Sequence, residues 1–121
     1  MVRKAEIPGP KISTNLARPP GSPGIPGMVE SIVGCKWSLA VLAHIRAGVA
    51  RPGRLERAIA GISTKVLSQR LDKFLRFGIV QRQVFPEIPP RVEYRLTPLG
   101  ERFCRIVDEI ESLDRQVREE Q

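Results

Sequence analysis

The segment between Gly34 and Cys104 limits the folds open to this 121-residue chain more than any other. An apolar helical pattern carrying the only Trp is followed by a short turn, Gly-Ile-Ser at 61–63, and by an amphipathic helical pattern that ends at Gly78. Two segments of alternating apolar and polar residues then flank a proline-rich tip at 86–91. Two helices joined by a turn and followed by a hairpin predict a winged helix-turn-helix, a mainly α fold with a small β-hairpin (α+β).

Hydrophobic periodicity and end signals define the predicted elements. Ser63 is a suitable N-cap because its hydroxyl can accept a hydrogen bond from a free backbone N–H, and Gly48 and Gly78 are typical C-terminal stops. The second predicted helix is apolar on nearly all sides, so we expect it to be central to the core, and Trp37 to be a core residue, the alternative being a stacking or ligand group. Helices are predicted at residues 28–33 (with room for one turn before them), 36–47, 54–60, 64–77 and 98–119, and strands at 79–85 and 92–97.

Residues 1–27 differ from the rest of the chain in composition. They hold six of the eleven prolines but almost no large apolar side chains, so we expect a disordered Pro/Gly-rich tail ahead of a domain at 28–121. They lack the apolar core of a signal peptide, and no run approaches the length of a membrane span. Two cysteines do not make a disulfide framework, so a cytoplasmic protein with reduced thiols and no membrane partner is expected.

The net charge of +7 is unevenly distributed along the chain. Residues 28–97 contain twelve Lys or Arg and five acids, whereas residues 98–121 contain four Arg and seven acids. A generally basic surface would show no such division. A basic domain beside an acidic terminal helix indicates that the basic part faces a polyanion, double-stranded DNA being the expected partner.

The helix at 64–77 places its apolar residues on one stripe and polar residues on the opposite face. Gln can form bidentate contacts with adenine, and Lys can donate to guanine or to phosphate. An ordinary solvated face is the alternative, but the turn before the helix and the basic hairpin after it favour DNA contact. The candidate DNA-binding residues here are Ser63, Thr64, Lys65, Ser68, Gln69 and Lys73.

The hairpin adds three candidate contacts to phosphates or to the minor groove, Arg82, Arg91 and Arg95. Two adjacent prolines stiffen its tip and cannot donate ladder hydrogen bonds, as suits a wing. The alternative for any of these arginines is a surface ion pair with Glu87 or Glu93.

The terminal helix carries an apolar stripe at steps of four and three residues, which is a heptad-like pattern. One explanation is that the stripe packs on its own domain. Because a body of about 70 residues has little surface to cover so long a stripe, a homodimer is favoured, and its two-fold symmetry predicts a palindromic operator. The candidate dimerisation residues are Leu99, Phe103, Ile106, Ile110, Leu113 and Val117.

Few residues point to other chemistry. The only histidine, His44, lacks neighbours at metal-ligand spacing, and the sequence has no phosphate loop or catalytic set, so no metal, cofactor or enzymatic activity is expected. Cys35 is the candidate redox residue because it lies beside Lys36 at the start of a predicted helix, where a cation and the helix dipole lower a thiol pKa. The alternative is that Cys35 and Cys104 are both inert.

Several segments carry a family resemblance: Gly-Cys-Lys-Trp-Ser-Leu at 34–39, Gly-Ile-Ser at 61–63, Val-Leu-Ser-Gln-Arg-Leu at 66–71, Val-Phe-Pro-Glu-Ile-Pro-Pro-Arg-Val-Glu-Tyr-Arg-Leu-Thr at 84–97 and Leu-Gly at 99–100. These segments resemble the HxlR-type bacterial winged-helix regulators over residues 28–115. The resemblance implies a dimeric transcriptional regulator whose helix after Gly-Ile-Ser reads the major groove. Cys35 replaces a glycine of the family pattern, and Pro52 disfavours the small first strand.

These observations predict a sequence-specific double-stranded-DNA-binding transcriptional regulator, a repressor that acts as a homodimer on a palindromic operator. The alternative is a winged-helix protein-interaction module without sequence-specific DNA binding, which a weak salt dependence of DNA binding would indicate. A small-molecule or redox effector is left open.

Overall fold

The computed structural model describes residues 24–120, and this range contains five helices and two strands. The elements are α1 (Ile25–Val33), α2 (Ser38–Arg46), α3 (Pro52–Ala58), α4 (Thr64–Phe77), β1 (Val80–Phe85), β2 (Arg91–Leu96) and α5 (Pro98–Glu119). The two strands form an antiparallel hairpin in which Val80 pairs with Leu96 and Phe85 with Arg91. The predicted fold class, a winged helix-turn-helix with a long C-terminal helix, is confirmed.

The beginnings of the first two helices differ from the prediction. α1 begins at Ile25, inside the predicted tail, because proline at the second position of a helix costs no hydrogen bond. The rest of the predicted tail, residues 1–23, lies outside the described residues. α2 begins at Ser38 and not at residue 36, because Trp37 adopts a left-handed conformation with φ of 76° and so cannot be part of the helix.

The third helix also begins early, at Pro52, since the fixed φ of proline suits the first helical position and Arg51 before it is extended. In the segment ahead of it, a single backbone hydrogen bond reaches the hairpin, from Tyr94 N to Ala50 O at 2.8 Å. Residues 49–51 form no assigned strand, which agrees with the expectation drawn from Pro52.

The core is built from one apolar stripe of each helix together with the inner face of the hairpin. Its largest fully buried side chains are Phe74, Phe103, Met28, Ile32, Leu55, Ile79 and Val41. Trp37 packs against this core as a half-buried side chain with its ring beside Gly61, so it lies at the edge of the core and not at its centre. Among residues 24–120 no single helix has the length and hydropathy of a membrane span, and α1 and α2 pass such a test only as a pair bent by 101°.

The base of the hairpin is fixed between α4 and α5. Gly78 ends α4 with φ of 77°, a conformation that favours glycine. Thr97 donates its hydroxyl to Gly78 O at 2.7 Å and accepts from Gly100 N at 3.0 Å, capping α5. A Cβ on Gly100 would lie 2.0 Å from Ile79 O, so α5 approaches the start of β1 as closely as only glycine allows. These contacts hold the start of β1 between the end of α4 and the start of α5.

Candidate nucleic-acid interface

The first two turns of α4 present a group of polar side chains to solvent. Ser63 caps the helix as predicted, accepting from Val66 N at 3.1 Å, and Thr64 Oγ1 donates to the Glu56 carboxylate of α3 at 2.6 Å. The other members form no side-chain hydrogen bond or ion pair with residues 24–120. The α4 polar face consists of Ser63, Thr64, Lys65, Ser68 and Gln69, all of them exposed.

Lys73, also predicted to contact DNA, lies one turn beyond Gln69 and is less exposed than the α4 polar face. Its ammonium donates to Ser31 O at 3.3 Å, and one turn earlier Arg70 Nε donates to Lys36 O at 2.9 Å. Both side chains are half-buried and hold α4 against the end of α1 and the turn that follows it. Lys73 is therefore partly engaged within the protein, unlike Lys65, and its contact with DNA stays a prediction.

Cys35 lies in that same turn, three residues before α2 begins. The burial of its thiol works to raise the pKa, but the Ser38 hydroxyl and the charges of Arg70 and Lys73 outweigh it, and the pKa is lowered. Ser38 Oγ is fully buried and has no hydrogen bond of ordinary geometry within residues 24–120. The pKa of Cys35 is thus lowered, as predicted, but not by Lys36. The Lys36 ammonium lies instead over the Trp37 ring, 5.2 Å from its centre.

The arginines of β2 belong to an internal ion-pair cluster. Arg91 and Arg95 both bind the carboxylate of Glu93, which lies between them on the strand and is only 7% exposed. Arg91 also pairs with Glu87 at 2.9 Å and stacks on the Phe85 ring at 3.9 Å from its centre. The wing cluster is formed by these five residues, and its two arginines and two glutamates have no net charge.

The register of the hairpin separates Arg82 from the wing cluster. Arg82 pairs with Tyr94, whereas Arg91 pairs with Phe85, and neighbouring positions along a strand face opposite sides. Arg82 is exposed and forms no ion pair with residues 24–120. The three predicted wing contacts are therefore one unpaired arginine on one face and two paired arginines on the other.

The two halves of α5 have different surroundings. Phe103 is 2% exposed and lies in the core of its own domain, and Leu99 is half-buried against that core. The prediction that these two residues contact a partner is therefore corrected, since a side chain already covered by its own chain offers little surface to another. Packing on the body ends at Val107. On the side of α5 that faces away from the core, a terminal stripe of roughly half-exposed side chains begins one residue before Val107: Ile106, Ile110, Leu113 and Val117.

An open groove of about 310 Å³ runs between α2 and the first half of α5. Arg46 and Asp108 pair across it at 2.9 Å, and Cys104 lines it. Burial raises the pKa of Cys104, so this thiol is the less reactive of the two. Within residues 24–120 no three His, Cys, Asp or Glu side chains are grouped for metal binding, and His44 Nδ1 lies 2.8 Å from Ala40 O.

Three exposed arginines lie outside every set predicted from the sequence: Arg51, Arg54 and Arg57. They are spaced three residues apart at the start and along one side of α3. None of them pairs with an acid in the described part of the chain. Their regular spacing is a sequence signal that could have identified them.

Comparisons with known proteins agree with this geometry. A family model described as HxlR-like helix-turn-helix matches residues 32–121. An HTH-type transcriptional regulator of Synechocystis sp. is 47% identical over 72 residues, which cover 60% of this chain and 53% of the relative. A transcriptional regulator of the MarR family from Enterococcus faecalis has a TM-score of 0.73 and 29% identity, over 97% of this chain and 96% of that one. The redox regulator HypR in its oxidized form has a TM-score of 0.65 and 28% identity, over 74% and 93%.

The fold and the matches define a helix-turn-helix domain of the kind that these named transcriptional regulators contain. The chain belongs to the HxlR-like helix-turn-helix family, and the resemblance seen in the sequence is confirmed. These relatives and neighbours are named as transcriptional regulators and not as enzymes, as expected. The chain spans about half the length of the curated relatives it matches.

Proposed function

We propose that the protein binds a specific double-stranded operator, with α4 in the major groove and the hairpin against the flanking backbone. The observation that carries this proposal is the exposed α4 polar face, in which Lys65, Ser68 and Gln69 have no partner within residues 24–120. Uncommitted donors and acceptors at the start of a helix are what base-edge recognition requires. The net positive charge of residues 28–97 supports a polyanionic partner.

Selection of bound duplexes from a random pool with the purified protein tests this proposal. We expect one enriched sequence, and an affinity for it that falls steeply as salt rises, because several phosphates are neutralised. Equal affinity in low and moderate salt, with no enriched sequence, would leave the protein-interaction module as the better explanation.

We further propose that the protein is a homodimer held by the terminal stripe. Ile106, Ile110, Leu113 and Val117 follow steps of four, three and four along one side of α5, and every residue from Asp108 to Glu120 is exposed in the single chain. Covering such a stripe with its copy removes apolar surface from water. Two-fold symmetry would then pair two α4 helices on a palindromic operator.

Sedimentation of Leu113→Glu tests the dimer without cutting into the core, which truncation before Ile106 would do because Val107 is buried. We expect a monomer with greatly weakened operator binding. Ser112→Glu is the matched control, since it adds the same charge one residue away from the stripe, and it should remain a dimer. A dimeric Leu113→Glu protein would refute the assignment.

We propose repression as the direction of control and the cytoplasm, where bacterial DNA lies, as the location. The elements of residues 24–120 belong to the helix-turn-helix, the hairpin or the helices packed on them, which favours blocking a promoter by occupancy. Transcription in vitro from a promoter that overlaps the selected operator should fall as protein is added, and a rise would show activation instead.

A second candidate function is control through the Cys35 thiol. The specific observation is that Cys35 lies beside Lys36, whose carbonyl accepts from Arg70, and that the Ser38 hydroxyl and the charges of Arg70 and Lys73 lower the pKa of its thiol. Hydrogen peroxide would convert the thiolate to a sulfenate and release water, adding an oxygen atom at this contact. The similarity to HypR, named a redox regulator, gives further support.

DNA binding by the wild type and by Cys35→Ala, before and after hydrogen peroxide, tests this control. We expect only the wild type to change. Cys104→Ala is the matched control and should respond as the wild type does, because burial raises the pKa of its thiol. Unchanged wild-type binding, or an equal loss in the Cys35→Ala protein, would show that Cys35 is not a sensor.

A further inference from the structure

The wing has less positive charge available to bind DNA than its sequence indicates. In the wing cluster, Arg91 and Arg95 are matched by Glu87 and Glu93. An arginine that contacts phosphate must exchange or share the carboxylate it already binds, so its net gain is small. The phosphate contacts that a helix-turn-helix needs for its register must then come largely from other cations.

The arginines of α3 are cations without such partners. Arg51, Arg54 and Arg57 are exposed and lack an ion pair within residues 24–120, and Leu55 between them is fully buried, which fixes the side of α3 that faces out. The Arg57 guanidinium folds back along the helix, 3.7 Å from where a Cβ on Gly53 would lie. The three charges therefore follow one exposed side of a short helix.

Two contacts tie this side of the molecule to the elements proposed to meet DNA. Just before α3, Ala50 O accepts from Tyr94 N of β2 at 2.8 Å. Near its end, Glu56 accepts from Thr64 at the start of α4 at 2.6 Å, so the acid of α3 is bonded within the protein. The exposed side of α3 that carries Arg51, Arg54 and Arg57 is thus held between the hairpin and the first turn of α4.

We propose that Arg51, Arg54 and Arg57 form a phosphate-binding edge beside the α4 polar face, which contacts the backbone of the duplex and carries no sequence information. This inference rests on the proposed function, because it assigns the backbone contacts of the same complex. It moves the main sequence-independent contact from the paired wing arginines, Arg91 and Arg95, to α3.

The slope of log affinity against log salt tests the proposal, measured by fluorescence anisotropy on the operator duplex and on a scrambled duplex. Arg54→Gln and Arg57→Gln should each reduce the magnitude of the slope by about 0.9, the value for one phosphate contact in B-DNA. Each should weaken binding to both duplexes alike. Arg54→Lys keeps the charge and should retain the slope. Arg105→Gln removes the same charge from the exposed side of α5 and should leave the slope unchanged.

The outcomes separate this proposal from the proposed function. If the wild type shows no salt-dependent duplex binding, the proposed function itself fails. If the wild type binds but Arg54→Gln and Arg57→Gln behave as Arg105→Gln does, only the α3 edge is overturned. Thermal unfolding of each variant excludes misfolding as the cause, since all three side chains are exposed and their removal should leave the midpoint unchanged.

Discussion

The first two turns of α4 and the hairpin look alike in sequence, because both are polar and both were expected to meet DNA. In the structure they differ in how their side chains are used. Most of the α4 polar face has no partner within residues 24–120, whereas Arg91 and Arg95 of the hairpin are held by a buried carboxylate. The comparison shows that charge in a sequence does not measure charge available to a ligand, since an internal partner can occupy it.

The largest expected effect tests whether α4 and not the hairpin reads the bases. We expect Gln69→Ala to lose about 1–3 kcal/mol of operator binding, the value of a bidentate base contact. Affinity for scrambled DNA should stay the same. Competition binding measures both, and Gln83→Ala, the same change at an exposed position of β1, is the control. An equal loss of operator binding in Gln83→Ala would show that the hairpin contacts the bases as strongly as α4 does.

The next effect tests whether the wing cluster is internal structure. Glu93→Gln removes the nearly buried charge shared by Arg91 and Arg95, and we expect it to lower the free energy of unfolding by about 1–2 kcal/mol. Glu87→Gln removes an exposed charge from the same cluster and should cost less than about 1 kcal/mol. Denaturant unfolding of the two variants gives the difference. If both cost the same small amount, the hairpin arginines are as available as the α4 side chains.

The smallest expected effect concerns Ser63, the N-cap of α4, whose hydroxyl is hydrogen-bonded within the protein. Ser63 bonds Val66 N, so Ser63→Ala should cost about 1 kcal/mol of stability as a lost N-cap. Ser68 is exposed without such a bond, so Ser68→Ala should change stability by less than about 0.5 kcal/mol and act on operator affinity instead. Thermal unfolding and binding of the pair separate the two roles. A stability loss in Ser68→Ala would show that it too is committed within the protein.

Features that involve residues close together in the sequence were predictable from it, whereas features that join distant residues were not. The cap at Ser63 and the stop at Gly78 were predictable, because capping and left-handed turns involve residues within four positions of each other. The position of Lys73 was not, because its contact with Ser31 joins helices that are distant in sequence. The same holds in part for Cys35, because the nearby Ser38 hydroxyl lowers its pKa but so do the charges of Arg70 and Lys73, which are distant in sequence.

The terminal helix shows a similar limit. Its apolar period correctly identified one continuous helix, from Pro98 to Glu119. A period shows which residues share a face but not what covers them. Phe103 is covered by its own core, while Leu113 is not covered by any of residues 24–120. The dimer remains a prediction for the outer half of α5 only.

The sequence by itself determined the order of the elements, the caps that begin α4 and α5, and the family to which the chain belongs. These features follow from backbone hydrogen bonding and hydrophobic periodicity, which act over one or two turns. Only the tertiary structure decided which charges are neutralised, which thiol faces cations and where α5 leaves the core. Those properties depend on side chains that the fold brings together from distant positions, and the energy of a charge depends on such neighbours and on its burial.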